Sequence, residues 1–295
     1  MKELVIISGK GGTGKTSITA AFASLANHAV LADCDVDAAD LHLVMAPKVM
    51  HKESFIGGKV AEIDPARCSQ CGQCLEVCRF DAITEDFRIQ AIACEGCGVC
   101  VWNCPENAID FIPRKSGDGF ISETRFGTMV HAKLGIAEEN SGKLVTRVRK
   151  QAREVAEKQK ADFLLIDGPP GIGCPVIAAI GGADHALIVT EPSRSAIHDM
   201  ERAIDLCDHF KIQVSVCINK SDINKDLTRT IEIFCQDKGI MVVGKIPYDP
   251  ALTEAQIAGK TITEFDDGPL QDRFKQLWQS LSTRIQVKEP FNQEA

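Results

Sequence analysis

Apolar and polar positions follow one rhythm at the two ends of this chain and a different one in between. Leu4-Val5-Ile6-Ile7, with Ser8, is a short continuous apolar run that stops at a Gly-rich loop. Such a run predicts a strand buried on both faces over residues 4–8. Residues 15–27 follow as a helix, and Ala29 to Ala32 is a second short apolar strand ending at Asp33. Strand, Gly-loop, helix, strand is the opening of an α/β parallel sheet. The rhythm breaks from about Lys59 to Pro113, where the chain is rich in cysteine and poor in helix signals. It then returns. Residues 119–136 read as two strands, and Ser141 to Lys160 as a long polar helix with Asn140 or Ser141 as its cap. Phe163-Leu-Leu-Ile166, ending at Asp167, is a buried strand, as are Ala186-Leu-Ile-Val189, Val214-Ser-Val-Cys217 and Met241-Val-Val243. Helices are predicted near 195–209, 226–238, 250–258 and 269–284. The last carries Leu270, Phe274, Leu277, Trp278 and Leu281 at helical spacing. It mixes Asp272 with Arg273 and Lys275 and has no strong basic face, so docking on the core is the better reading than lying on a membrane.

A chain of 295 residues holds a large core plus a small inserted domain. Its net charge of −8 argues against generic nucleic-acid binding, and 5% aromatic residues argue against a stacking platform for single strands. No stretch approaches the roughly 18 apolar residues of a membrane span, and Met1-Lys2-Glu3 runs into a strand without the apolar core of a signal peptide. A cytoplasmic location is expected. In a reducing compartment clustered cysteines mean metal before they mean disulfides.

Residues 9–16, Gly-Lys-Gly-Gly-Thr-Gly-Lys-Thr, form a phosphate-binding loop between the first strand and the first helix. Gly9, Gly11, Gly12 and Gly14 permit the tight turns that let backbone N–H groups converge on phosphate oxygens. The helix that follows points its positive end at the same anion. Lys15 reaches the outer phosphates and the Thr16 hydroxyl ligates Mg²⁺, while Thr13 and Ser17 complete the predicted binding set.

Eight of the 13 cysteines fall in two runs, Cys68-x2-Cys71-x2-Cys74-x3-Cys78 and Cys94-x2-Cys97-x2-Cys100-x3-Cys104, the second followed by Pro105. The runs are an internal repeat, since Ala82-Ile83 and Ala108-Ile109 follow them at the same spacing. Zinc is the alternative for thiolate ligands, but zinc sites pair two widely separated Cys-x2-Cys units, and these runs do not. His131, His185 and His198 have no ligand-like spacing, and Cys207, Cys217 and Cys235 fall in apolar elements that read as core.

The cysteine runs resemble those of bacterial ferredoxins with two 4Fe–4S clusters. Ligation in those proteins is crossed, which implies Cys68, Cys71, Cys74 and Cys104 for one cluster and Cys94, Cys97, Cys100 and Cys78 for the other. Arg79 departs from the pattern, standing where the first run would carry proline. The phosphate loop, with its second lysine at Lys10, resembles the deviant loop of the MinD/ParA family. In that family the extra lysine crosses a dimer interface to the partner's nucleotide. Asp33-Cys34-Asp35 looks like the family's first switch, which implies that Asp35 positions the attacking water and Asp33 supports the magnesium site. Asp37 and Asp40 read as capping or solvated residues. Asp167-Gly168-Pro169-Pro170-Gly171 looks like the second switch, with Asp167 holding the Mg²⁺ shell directly or through water. Asn219 and Lys220 resemble the base-reading segment, and Pro247-Tyr248-Asp249 the loop that packs on adenine. Asn-Lys-x-Asp, with Asp222, is also the guanine-reading pattern of GTPases, and the family resemblance favours ATP. Cys174 lies seven residues after Asp167 with no second cysteine between Cys104 and Asp167, and reads as a small residue packing beside Pro175. The Cys-x2-Cys pair that carrier ATPases of this superfamily use near the C-terminus is absent.

The order of motifs is similar to that of MinD-superfamily ATPases with an inserted ferredoxin domain. The resemblance implies an α/β, mostly parallel-sheet P-loop NTPase over 1–58 and 114–295, with the insert at 59–113. It implies an ATPase that uses ATP, Mg²⁺ and two 4Fe–4S clusters, working as a nucleotide-dependent homodimer or with a paralogous ATPase. The leading expectation is ATP-switched electron transfer to a partner protein. One alternative is iron–sulfur or metal-cluster assembly. A second is a positioning ATPase with redox-sensing clusters.

Overall fold

The computed structural model describes residues 1–135 and 141–286, so the candidate cap Asn140 lies outside the described residues. In chain order the elements are β1 (Lys2–Ser8), α1 (Lys15–Leu25), β2 (Ala29–Asp33), α2 (Leu41–Met45), β3 (Lys48–Ile63), α3 (Gln73–Val77), α4 (Val99–Trp102), β4 (Ile109–Thr124), β5 (Gly127–Leu134) and α5 (Ser141–Gln159). There follow β6 (Phe163–Pro170), α6 (Cys174–Ile180), β7 (His185–Thr190), α7 (Arg194–His209), β8 (Gln213–Ile218), α8 (Lys225–Asp237), β9 (Met241–Lys245), α9 (Ala251–Ile257), α10 (Ile262–Phe265) and α11 (Pro269–Gln286). The chain divides into two compact units. The first comprises Met1–Lys52, Phe120–Ala132 and Ser141–Ala295, and the second Glu53–Gly119 with Lys133–Asn140.

In the first unit the strand order is β5-β2-β6-β1-β7-β8-β9, and the neighbours are parallel throughout. The continuous apolar runs of β1, β2, β6 and β7 explain this, because a strand buried on both faces belongs inside a parallel sheet covered by helices. The register sets Asp33 of β2 directly beside Asp167 of β6, and Ile6 of β1 beside both Asp167 and Leu187. Two acidic strand ends therefore meet at the carboxyl edge of the sheet, where open α/β sheets bind ligands. On one face Ile18 and Phe22 of α1 pack with Phe274, Leu277 and Leu281 of α11 in the main core cluster. Trp278 sits 5.1 Å from both Phe22 and Phe163, so the C-terminal helix docks on the core as its spacing predicts. On the amphipathic α5, Arg149 Nη2 donates to Glu3 Oε2 at 2.6 Å and Arg153 Nε to Glu3 Oε1 at 2.5 Å. Glu3 and Arg149 are both buried, so each satisfies a charge the other could not leave unpaired.

The second unit has a much smaller core, made of Ala61, Cys74, Ala82, Ile83, Cys94 and Ile109. Its helices α3 and α4 are a turn long and occupy equivalent places in the repeat. Each begins after a glycine at positive φ, Gly72 at 84° and Gly98 at 77°. The unit is wider than the 59–113 of the sequence reading because β3 and β4 run 16 residues each. The polar Lys48-to-Ser54 stretch and the Gly57-Gly58 pair conceal β3, although Phe55, Gly57 and Ala61 keep the alternate burial of a one-sided strand. The two predicted strands over 119–136 are the end of β4 and the whole of β5.

Candidate functional site

The residues between β1 and α1 wrap one wall of a cavity of about 610 Å³, within the range of small-molecule sites. Gly11, Gly12, Gly14, Lys15, Thr16 and Ser17 line it. Two glycines are required by their surroundings. A side chain on Gly9 would collide with Asp199 of α7, and one on Gly14, at φ 95°, would meet the Asn219 amide. That amide donates from Nδ2 to the Thr13 carbonyl at 2.8 Å, which ties the end of β8 to the phosphate loop. Gly9, Lys10 and Thr13 are not in the cavity wall.

An acidic corner stands beside the loop. Thr16 Oγ1 donates to Asp167 Oδ2 at 2.8 Å, and Thr19 Oγ1 to Asp167 Oδ1 at 3.2 Å. Asp33 Oδ1 accepts from the Asp35 amide at 3.2 Å, while its buried Oδ2 has no hydrogen-bond partner. Lys15 Nζ pairs with Asp35 Oδ2 at 3.9 Å. Burial, and then the charge of Asp167, push the Asp33 carboxyl well above its usual pKa. Burial also raises Asp167, to about 6, against the pull of Lys15 and the Thr16 hydroxyl. Asp35 is raised too, by burial that outweighs Lys15. Two buried carboxylates side by side, one with an orphaned oxygen, fit a divalent cation, and Thr16, Asp33 and Asp167 are the residues that would hold Mg²⁺. Asp37 and Asp40 also line the cavity. Asp40 precedes α2 but its side chain makes no capping hydrogen bond and is exposed, so of the capping and solvated readings the solvated one holds.

Asn219, Lys220, Pro247, Tyr248 and Asp249, with Leu252, Thr253 and Gln256 of α9, also line the cavity. The Tyr248 amide donates to Asp222 Oδ1 at 2.6 Å, so this carboxylate fastens the 247–249 loop. Gln256 Nε2 donates to Ser17 Oγ at 2.8 Å. The sequence reading missed Gln256 and Glu191, which belong to no motif. Glu191 Oε1 lies 2.6 Å from Lys10 Nζ and its Oε2 lies 2.9 Å from Lys220 Nζ. Burial works to raise the Glu191 pKa, but the hydrogen bonds from Lys10 and Lys220 prevail and hold it below the usual value.

The cysteine runs lie in the second unit. One cavity there is lined by Cys68, Cys71, Cys74 and Cys104, with Ile63, Phe87 and Ile109 among its walls. Another is lined by Cys78, Cys94, Cys97 and Cys100, with Ile83, Ile89 and Phe111. The last cysteine of each run thus faces the cavity of the other run's first three. Each cavity offers an all-thiol donor set in an apolar wall, chemistry that fits a thiolate-ligated group. Cys71 and Cys97 are the exposed members, and the Ala108 amide donates to Cys104 Sγ at 3.3 Å. Among the described residues no group of three or more His, Cys, Asp or Glu side chains could hold a single metal ion. Cys34, Cys207, Cys217 and Cys235 are buried, and burial raises the last three thiols to about 12, 12 and 11, well out of reactive range. Cys174 is exposed at the start of α6. No helix among the described residues is long and apolar enough to cross a membrane.

Known proteins resemble this chain in sequence and in fold. A protein of Methanocaldococcus jannaschii with no characterised function is 34% identical over 289 residues, covering 96% of this chain and 97% of its own. An iron–sulfur cluster carrier protein of Pyrococcus horikoshii is 24% identical over 301 residues, covering 96% of this chain and 86% of its own. The cell division ATPase MinD of Pyrococcus furiosus superposes with a TM-score of 0.59 at 18% identity, covering 96% of this chain and 99% of its own, a likeness of fold. Residues 4–262 match the CobQ/CobB/MinD/ParA nucleotide binding domain, so the chain belongs to that family and is an ATP-hydrolysing P-loop ATPase.

Proposed function

We propose that this ATPase assembles or carries iron–sulfur clusters, with the second unit as the part that handles them. The observation that carries the reading is the sorting of eight cysteines into two four-thiol cavities, within an ATPase related to a cluster carrier. Cys68, Cys71, Cys74 and Cys104 would hold one 4Fe–4S cluster and Cys94, Cys97, Cys100 and Cys78 the other. Exposed Cys71 and Cys97 give each cavity a thiol that an acceptor can reach. This is the alternative that the sequence left in second place. It moves ahead because a relative aligned along 96% of this chain is an iron–sulfur cluster carrier protein.

In the first unit Lys15 would hold the outer phosphates and Asp35 would orient the attacking water. Lys15 lies 3.9 Å from Asp35, close enough for one residue to set the other's position. Thr16, Asp33 and Asp167 would hold Mg²⁺, which neutralises charge on the phosphate oxygens when bound. Asn219, Lys220, Pro247 and Tyr248 would surround the base. Lys10 would engage a phosphate across a nucleotide-dependent dimer, formed with a second copy or with a paralogous ATPase.

The test is transfer. Anaerobically reconstituted protein is mixed with an apo-protein that accepts a 4Fe–4S cluster, with and without Mg-ATP. We expect about eight irons per chain and acceptor maturation that quickens with ATP. Clusters that stay in place while cycling between redox states would return the assignment to electron transfer. Zinc in place of iron would overturn both.

A further inference from the structure

Glu191 belongs to none of the recognised motifs, yet it pairs with two lysines beside the phosphate loop. It follows β7 directly and precedes Ser193, whose hydroxyl caps α7 by accepting from the Ala196 amide at 3.3 Å. Its side chain is 13% exposed, against 30% for Lys10 and 31% for Lys220, so the carboxylate is the fixed partner and the lysines are the ends able to move. Lys10 Nζ also donates to Ser193 Oγ at 3.2 Å. Lys220 Nζ also donates to the Gly12 carbonyl at 3.2 Å. One carboxylate therefore ties a lysine of the phosphate loop to a lysine of the base-side segment, and the second of these grips the phosphate loop in turn. An ammonium held by a carboxylate at 2.6 Å makes a charge-assisted bond that a phosphate oxygen would have to replace.

We propose that Glu191 is a positioning residue of the ATPase: it holds Lys10 and Lys220 on one carboxylate, so that a nucleotide phosphate takes Lys10 only in competition with it. Resting on the reading that Lys10 acts on a phosphate, this makes Glu191 a restraint that weakens Mg-ATP binding and keeps Lys10 from engaging without a nucleotide. Withdrawal of Lys10 would leave Lys220, which lines the cavity, as the remaining lysine on the carboxylate.

The experiment is a double-mutant cycle on the full chain, using a fluorescent ATP analogue with Mg²⁺. The parent, Glu191→Gln, Lys10→Ala and the double variant are titrated, and each is sedimented with Mg-ATP. Glu191→Gln should tighten binding roughly tenfold, the scale of one charge-assisted hydrogen bond. The same change in the Lys10→Ala background should do nothing. Glu191→Asp keeps the charge and retracts it by one methylene, so it should give a smaller tightening, and it preserves the test if the Gln variant folds poorly. Equal effects of Glu191→Gln with and without Lys10, or weaker binding in its presence, would overturn the proposal. If Lys10→Ala alone changes neither affinity nor association, the role of Lys10 itself fails. If Lys10→Ala weakens binding but the two changes are additive, only the restraint by Glu191 fails.

Discussion

The two units of this chain bring functional side chains together by different physical means. In the first, the site is an edge of a parallel sheet whose central strands β2, β6, β1 and β7 are almost wholly buried, and the apolar cluster beneath it runs from Leu4 to Ile285. Asp33 and Asp167 stand together because the β2–β6 register puts them there. In the second, the core is six small or medium residues, two of them the cysteines Cys74 and Cys94. Cores of that size seldom sustain a fold by burial alone, and small domains recruit metals or disulfides to make up the difference. The comparison teaches that a phosphate site can be built in advance on a hydrophobic frame, whereas the cysteine cavities belong to a unit whose own core is small, so that a group bound to the thiols would add to its stability.

The largest effect should come from the cysteines. Replacing Cys74 and Cys94 together by serine removes a thiol from each cavity and two members of the small core. Amide hydrogen exchange across 53–119 should then rise to loop-like rates, and iron content should fall with it. Unchanged protection there would mean that the second unit folds by burial like the first.

A smaller and more local effect is expected at Asp35. Asp35→Asn should lower the hydrolysis rate by roughly a hundredfold or more, the usual cost of losing a group that positions the nucleophile. Nucleotide affinity should remain within a few-fold of the parent. Normal hydrolysis by the variant would remove Asp35 from its role.

The smallest effect is one of pH and magnesium. Asp167 titrates near 6 in the folded chain, against about 3.9 in an unfolded one. Between those values the folded state binds the extra proton, so this carboxylate stabilises the fold at low pH and that contribution is lost as pH rises through 6. Mg²⁺ competes with the proton for the same oxygens. The Mg²⁺-induced rise in Tm should therefore be a few degrees at pH 7.5 and close to zero at pH 5. His131 and His185, pushed down to about 4 by burial, act in the opposite sense over this range. The magnesium increment, rather than Tm itself, is thus the quantity to read. An equal increment at both values would separate Mg²⁺ from Asp33 and Asp167.

Much of the first unit was legible because its signals are local. Continuous apolar runs announce strands buried on both faces, and Leu270, Phe274, Leu277 and Leu281 announce the buried side of α11. The phosphate loop is contiguous, so its residues could be named before their positions were known. Less was legible in Lys48–Ile63, where polar residues and Gly57-Gly58 hide a strand whose partner is more than forty residues away in sequence. Asp40 read as a capping or solvated residue, and its exposed side chain lines the cavity without capping α2. The grouping of cysteines came from family resemblance, and spacing alone would have left open which cavity receives the last cysteine of each run.

The sequence by itself determined the strand and helix periods, the phosphate loop and the existence of two matched cysteine runs, since each is encoded by neighbours within a dozen residues. Only the tertiary structure decided that Asp33 lies against Asp167, that Asn219 holds the Thr13 carbonyl, and that Glu191 takes Lys10 and Lys220 together. Those meetings join residues separated by as many as 206 positions, and strand register and the sheet's crossovers set them, which no local pattern records.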